Sequence, residues 1–142
     1  MSELADAVRR RAGNRCEYCH LPQSAFRRAF HLEHIVARQH GGLSQFDNLA
    51  PACWTCNFKK GPNLAGVDPS TGALAVLFHP RTDEWQEHFR PIVTTSLHFG
   101  VTILGVTPVG RATVQVLGFN QETRQTLRYE LRLEGLYTAE ES

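Results

Sequence analysis

The sequence lacks an apolar run long enough to span a bilayer, and it has no internal repeat or low-complexity tract. The opening residues, MSELADAVRRRAG, also lack the apolar centre of a signal peptide, which predicts a cytoplasmic protein without a membrane partner. A chain of 142 residues with 42% hydrophobic and 20% charged residues is typical of one compact globular domain.

The net charge is small, but the charged residues are distributed unevenly. Up to residue 60 the chain has nine Lys and Arg against five Asp and Glu, whereas the remainder has six against nine. A basic first half suits a polyanionic partner. The alternative is that these charges lie by chance on solvated faces.

Only four cysteines are present, and they form two Cys-x-x-Cys pairs: Cys16 with Cys19, and Cys53 with Cys56. Thiols stay reduced in the cytoplasm, so the pairs predict a structural Zn²⁺ site rather than disulfides. The run from Cys16 to His20 also fits the Cys-x-x-Cys-His pattern of haem attachment, but that chemistry needs export and leaves the second pair unexplained. We therefore expect His20 to lie beside the zinc site and not in it.

Local patterns predict short helices and strands. Helices are predicted over residues 3–12, 54–60 and 83–89, from Pro108 onward and after Asn120; strands are predicted over residues 30–36, 49–52 and 73–78, with a hairpin over residues 96–106. The segment after Pro108 also alternates as a strand would, through Ala112, Val114 and Val116, and both interpretations stay open. Residues 63–72 are rich in Gly, Pro, Asp and Ser and predict a loop.

The 33 residues between the cysteine pairs contain a carboxylate beside a histidine, Glu33 and His34. A hard Mg²⁺ ion prefers oxygen ligands such as a Glu33 carboxylate and an Asn57 amide. A neutral imidazole at His34 is suited to taking a proton from water near neutral pH. Neighbouring residues of a regular strand point to opposite faces, so shared work by Glu33 and His34 requires a bend.

The segment that contains the two cysteine pairs resembles the zinc-bearing HNH endonuclease family. The resemblance covers residues 16–61 and rests on Cys16-x-x-Cys19, Leu32-Glu33-His34-Ile35, Gly41-Gly42, Asp47-Asn48-Leu49, Cys53-x-x-Cys56-Asn57 and Lys60-Gly61. That family has a ββα-metal fold, also called the His-Me finger, in which a hairpin and a helix surround one divalent ion.

The resemblance implies a metal-dependent endonuclease that hydrolyses phosphodiester bonds of nucleic acid, with DNA as the expected substrate. It implies that His34 is the general base, that Glu33 and Asn57 hold a catalytic Mg²⁺ or Mn²⁺, and that Asn48 braces the loop. Two positions depart from the usual motif: Glu33 replaces aspartate, and Ala37 replaces proline.

Several further residues are assigned by position. Four residues that flank the site are expected to contact phosphates: Arg38, His40, Lys59 and Lys60. The alternative for each of them is an ordinary solvated side chain on the surface. Downstream, Trp85 and Phe89 are expected to pack the tail onto the core, and a site role for His79 or His88 is kept open. The arginines Arg124, Arg128 and Arg132 recur every four residues, which predicts a solvated helical stripe.

The sequence therefore predicts an α+β protein. A ββα-metal core with a four-cysteine zinc site is expected over residues 1–66, and an α/β C-terminal extension packed on it over residues 67–142. The alternative to the endonuclease is a zinc-containing nucleic-acid-binding module without catalysis.

Overall fold

The computed structural model describes residues 2–95 and 98–141. Within these ranges the helices are Glu3–Arg11 (α1), Trp54–Lys60 (α2), Trp85–His88 (α3), Pro108–Val116 (α4) and Glu122–Leu133 (α5). The strands are His31–His34 (β1), Leu49–Ala52 (β2), Ala65–Val67 (β3), Leu74–Val76 (β4), Phe89–Thr94 (β5), Gly100–Gly105 (β6) and Glu140–Glu141 (β7). The protein is thus α+β, as the sequence predicts.

The first half is built on an antiparallel hairpin followed by a helix. β1 pairs with β2 in a register that sets Glu33 opposite Ala50 and His34 opposite Leu49. α2 follows β2 directly and contacts both strands. The predicted order of strand, loop, strand and helix is confirmed.

Helix α1 begins at a capped position and is tied to the hairpin. The Ser2 hydroxyl accepts a hydrogen bond from the Ala5 amide at 3.0 Å, which satisfies one of the free N–H groups of the first turn. At the other end, the Arg11 guanidinium donates to the Leu49 carbonyl at 2.5 Å. The helix therefore holds the start of β2 in place.

The second half is a small mixed sheet covered by two helices. β5 pairs with β6 antiparallel and with β7 parallel, and α4 and α5 both pack against β6. The hairpin predicted over residues 96–106 is shifted: its first strand is β5, which ends at Thr94, and Gly100 pairs with Thr94 at the start of β6 instead of forming the turn. Two residues of the predicted hairpin, Ser96 and Leu97, lie outside the described ranges. α4 settles the open choice after Pro108 in favour of helix, because Thr107 accepts from the Gly110 amide at 3.0 Å and Pro108 occupies the first turn.

Two further details of the prediction are corrected. Asn120 does not cap α5; its side chain pairs with both the amide and the carbonyl of Ile103 on β6, at 2.8 and 2.9 Å. The predicted loop 63–72 contains β3, so the division between residues 66 and 67 falls inside a strand paired with β4.

Buried side chains from both halves share one core. Tyr18 and Phe30 from the first half belong to the same cluster as Phe119 and Tyr137 from the second. Trp85 joins them, since its indole N–H donates to the Tyr18 carbonyl at 2.8 Å. As predicted, Trp85 and Phe89 pack the C-terminal part onto the cysteine-bearing part.

The arginines of α5 contradict the prediction of a solvated stripe. Arg128 is completely buried, and its guanidinium donates twice to the Val101 carbonyl, at 2.9 and 2.7 Å. Arg124 is 5% exposed and lies against the cysteine cluster. Buried arginines need partners for their donors, and both arginines donate to groups on other elements: Arg128 to a carbonyl of β6 and Arg124 to a sulfur of α2.

No helix among the described residues is both long enough and apolar enough to cross a membrane.

Candidate metal centre and active site

The four cysteines form one buried cluster. Their sulfur atoms lie within 4.8 Å of one another, all four thiols are free, and His20 is not part of the group. The sulfurs of Cys19 and Cys53 are 3.7 Å apart, close to the ~3.8 Å edge of a tetrahedron with Zn–S bonds of ~2.3 Å. Soft, closely spaced thiolates in this number fit a metal such as zinc.

Local structure explains how the pairs meet. The knuckle that carries Cys16 and Cys19 is closed by a hydrogen bond from the His20 amide to the Cys16 carbonyl at 3.0 Å. It is tied to the hairpin by the Glu17 amide, which donates to the Pro51 carbonyl on β2 at 3.0 Å. Cys53 is the N-cap residue of α2 and Cys56 lies in its first turn, so the helix presents both sulfurs to the knuckle.

The C-terminal part completes the surroundings of this metal centre. The Arg124 guanidinium donates to the sulfur of Cys56 at 3.0 Å and lies 3.7 Å from that of Cys53. Burial by itself lowers the pKa of Arg124, but the nearby thiolates outweigh it and raise the pKa above its ordinary value. The Tyr137 hydroxyl donates to the Cys19 carbonyl at 2.7 Å. A cation and a phenol thus stabilise the cluster from outside its ligand set.

His34 lies at the end of β1 and is accessible to solvent. Its Nε2 is 2.8 Å from the Ser44 hydroxyl, which also accepts from the Arg38 guanidinium at 3.0 Å. Partial burial lowers the pKa of His34, and the neighbouring Arg38 and His31 lower it further. The imidazole is therefore neutral at physiological pH. Ser44 is a partner that the motif does not identify; its only sequence signal is its place just after the paired glycines.

Asn48 fixes the loop between the two strands. Its side-chain oxygen accepts from the Val36 amide at 2.9 Å, and its amide donates to the carbonyls of Val36 and Leu43 at 3.0 and 2.9 Å. Gly42 is required by the same packing, because a Cβ there would lie 1.7 Å from the Val36 carbonyl oxygen. The loop that carries Ser44 is thereby held in one shape beside His34.

Glu33 points into the core rather than toward solvent. It is 4% exposed; the Tyr18 hydroxyl donates to its carboxylate, and the Lys60 ammonium lies 3.5 Å away. Burial raises the pKa of Glu33 to about 7, against the opposing effects of Lys60 and Tyr18. In this arrangement the carboxylate already has a cation and a hydrogen-bond donor, so ligation of a divalent ion requires it to exchange partners.

Lys60 corrects one predicted phosphate contact. It is 2% exposed, and its ammonium donates to the Ile35 carbonyl at 3.0 Å besides pairing with Glu33. A buried ammonium with these partners cannot contact a nucleic acid on the surface. Lys60 joins the end of α2 to β1 instead.

The other predicted contacts differ in orientation. Arg38 and His40 lie on the short turn after β1, where a phosphate can reach them. Lys59 packs its stem toward the other half, since a Cβ at Gly118 would lie 2.8 Å from Lys59 Cδ.

Asn57 is half-buried in α2, and its side-chain amide makes no hydrogen bond to any residue in the described ranges. Asn57 can thus supply an oxygen ligand without breaking an existing contact.

The two downstream histidines have structural partners. His79 Nδ1 accepts from the Arg81 amide at 3.1 Å within a turn, and His88 Nδ1 lies 2.6 Å from the Thr107 hydroxyl at the start of α4. These contacts account for both side chains without a role in the site.

Comparison with known families agrees with this geometry. A family model described as HNH endonuclease matches residues 16–63, the span of the cysteine frame and the hairpin-helix unit. This match agrees with the resemblance found in the sequence: residues 16–63 are similar to an HNH endonuclease domain, and four cysteines within this span are positioned to hold a metal. The comparisons with curated proteins and with solved structures gave no match.

Proposed function

We propose that the protein is a metal-dependent endonuclease that hydrolyses phosphodiester bonds of DNA, with His34 as the general base. The observation that carries the proposal is the setting of His34: an accessible imidazole whose Nε2 is held by Ser44 at 2.8 Å. Nδ1 has no hydrogen-bond partner among the residues that the structure describes. In the tautomer with the proton on Nε2, the Nδ1 lone pair is left to take a proton from the attacking water.

The loop keeps this base oriented during the reaction. Asn48 ties the backbone on both sides of Ser44 to the strand exit, so the imidazole does not need to be ordered when substrate binds. Arg38, on the same turn, places a positive charge beside His34 and can contact the phosphate on which the water acts.

A divalent ion would be held by Asn57 and Glu33 and would stabilise the negative charge that develops on the phosphate and on the leaving oxygen. Asn57 is available for this role because its side-chain amide makes no hydrogen bond to the described residues. Glu33 fits it only when the ion replaces Lys60 as the neutralising charge. The proposal therefore includes a shift of the Lys60 ammonium, which keeps its hydrogen bond to Ile35 as an anchor.

A second candidate function is a zinc-containing nucleic-acid-binding module without catalysis. One specific observation favours it: the Glu33 carboxylate is buried and occupied by Lys60 and Tyr18. The two functions share the metal frame and the basic surface, and they differ only in whether a phosphodiester bond is broken.

A plasmid assay separates the two functions. We expect the zinc-loaded protein to convert supercoiled plasmid to relaxed or linear forms when Mg²⁺ or Mn²⁺ is added, and not without added divalent ion. Gel electrophoresis gives the rate, and a mobility shift on the same DNA without Mg²⁺ gives binding. DNA that is bound but uncut at every Mg²⁺ and Mn²⁺ concentration would establish the binding module and refute the endonuclease.

The pH dependence of cleavage tests the role of the His34 environment. A base must be neutral, so the rate should rise with pH through the His34 pKa, which lies below its ordinary value, and level off above it. Replacing Arg38 by alanine removes a positive charge and should move the midpoint to higher pH, whereas Arg38→Lys keeps the charge and should move it less. Rates at saturating substrate between about pH 5 and 8 provide the measurement. Identical midpoints for Arg38→Ala and the parent would contradict this electrostatic account.

A further inference from the structure

Two large aromatic side chains on α2 face solvent. Trp54 is 77% exposed and Phe58 is 71% exposed. They stand one turn apart, with ring centroids 6.0 Å apart and planes inclined by 13°, so they form a stacked pair. Exposed aromatics of this size are unusual on a protein surface unless they meet a partner.

Trp54, one member of the pair, also lines a cleft with basic walls. This cleft has a volume of about 420 Å³ and is lined mainly by Phe26, Arg27, Arg28, Phe30, His31 and Trp54. Phe26 and Phe30 pack edge to face at 5.2 Å, and both arginines are exposed. Gln23 fixes the segment by bonding the Arg28 carbonyl and the Phe30 amide, each at 2.7 Å. The cleft is therefore preformed, with aromatic faces and cationic edges.

The cleft shares secondary-structure elements with the proposed active site. His31 begins β1, the strand that ends with His34. Trp54 and Phe58 lie on α2 on either side of Asn57 in sequence. The cleft therefore shares β1 with His34, and the aromatic pair shares α2 with Asn57.

We propose that Trp54, Phe58 and this cleft bind unpaired bases of the nucleic-acid strand that is hydrolysed with His34 as the general base. The proposal rests on the endonuclease function and names its substrate as a strand with unstacked bases. Aromatic rings bind the faces of bases, and those faces are accessible only when a base has left the duplex stack. Arg27 and Arg28 complement the phosphates that join such bases.

Fluorescence binding tests this surface independently of cleavage. The chain has two tryptophans, and Trp85 is 8% exposed with its indole N–H bonded, so a change on binding reports Trp54. Zinc-loaded protein is titrated, without Mg²⁺ or Mn²⁺, with oligothymidylate and oligouridylate of about twelve nucleotides and with a duplex of equal length. Variants are Trp54→Ala, Trp54→Phe and Phe58→Ala. Leu74→Ala serves as a control that removes another exposed apolar side chain, 78% exposed and on β4.

Stacking predicts that single strands quench Trp54 and that Trp54→Ala or Phe58→Ala weakens single-strand affinity about tenfold, as expected for the loss of one stacked base. Fluorescence anisotropy of labelled strands gives the affinities of the variants. Trp54→Phe and Leu74→Ala should bind as the parent does, and duplex affinity should be unchanged in every variant. Tighter binding of oligothymidylate identifies DNA as the preferred single strand, and tighter binding of oligouridylate identifies RNA. Either result supports the proposed base-binding surface. If Trp54→Ala binds single strands as tightly as the parent protein, the proposed base-binding surface is refuted and the proposed endonuclease function stands. If the parent protein binds neither single strands nor duplex, both proposals fail.

Discussion

Replacing His34 by alanine should lower the rate of phosphodiester hydrolysis by about 10²–10⁴-fold, the usual contribution of a positioned general base. The imidazole is accessible, and its one hydrogen-bond partner among the described residues is the exposed Ser44, so removal of the imidazole leaves no buried group there unpaired. Zinc content, circular dichroism and DNA affinity should therefore match those of the parent, while single-turnover cleavage in Mg²⁺ should be almost lost.

A matched control is available on the same turn. Gln39 is exposed beside Arg38, and Gln39→Ala should cleave at the parent's rate. A His34→Ala protein that cuts as fast as Gln39→Ala would show that another group activates the water.

Replacing Arg124 by methionine should have the largest effect on stability. A zinc ion with four thiolates has a net charge of about −2, and Arg124 is the buried cation that donates to one of those sulfurs. Removing one partner of a buried charged pair costs about 3–5 kcal/mol, because the other charge stays buried without compensation. Urea unfolding of the zinc-loaded protein should show this loss, and zinc release to a chromogenic chelator should become faster.

Arg132→Met provides the comparison on the same helix. Arg132 is two turns further along α5 and pairs with the exposed Glu141 at 3.6 Å. Loss of this ion pair should lower the free energy of unfolding by about 1 kcal/mol or less and should leave the rate of zinc release unchanged. Equal unfolding midpoints and equal release rates for the two variants would mean that Arg124 does not stabilise the metal centre.

The features that could be predicted from the sequence depend on local chemistry. Two Cys-x-x-Cys pairs each fit one turn, so the four-cysteine cluster follows from spacing. Thr107 and Pro108 are the cap and first-turn pair of a helix, and α4 begins there. The loop role expected for Asn48 rests on short-range contacts to residues 36 and 43, and the structure has these contacts.

The features that could not be predicted depend on contacts between distant segments. Arg124 contacts Cys56, which is 68 residues away in the sequence. The four-residue spacing between Arg124 and Arg128 is the same whether that helix face is exposed to solvent or buried. Lys60 is buried because the end of α2 folds over Glu33, which a positive residue at a helix terminus does not reveal. Trp54 and Phe58 have the spacing of a core-facing pair, and only the packed structure places them on the outside.

The two halves depend on each other through the metal centre. The first half supplies the sulfurs and the hairpin, while the second supplies Arg124 and the Tyr137 hydroxyl. A metal held by the four cysteines would therefore join the hairpin-helix unit to the α/β sheet as well as fold the knuckle. This coupling gives the C-terminal part a definite structural task beside the proposed active site.

The most direct test of the central claim, that His34 is the general base, is rescue of a cavity variant by a free base. Zinc-loaded His34→Gly should leave supercoiled plasmid uncut in Mg²⁺, and added imidazole should restore nicking in proportion to its concentration, while Gln39→Ala should show no response to imidazole. Nicking by His34→Gly at the parent's rate without imidazole would contradict the account.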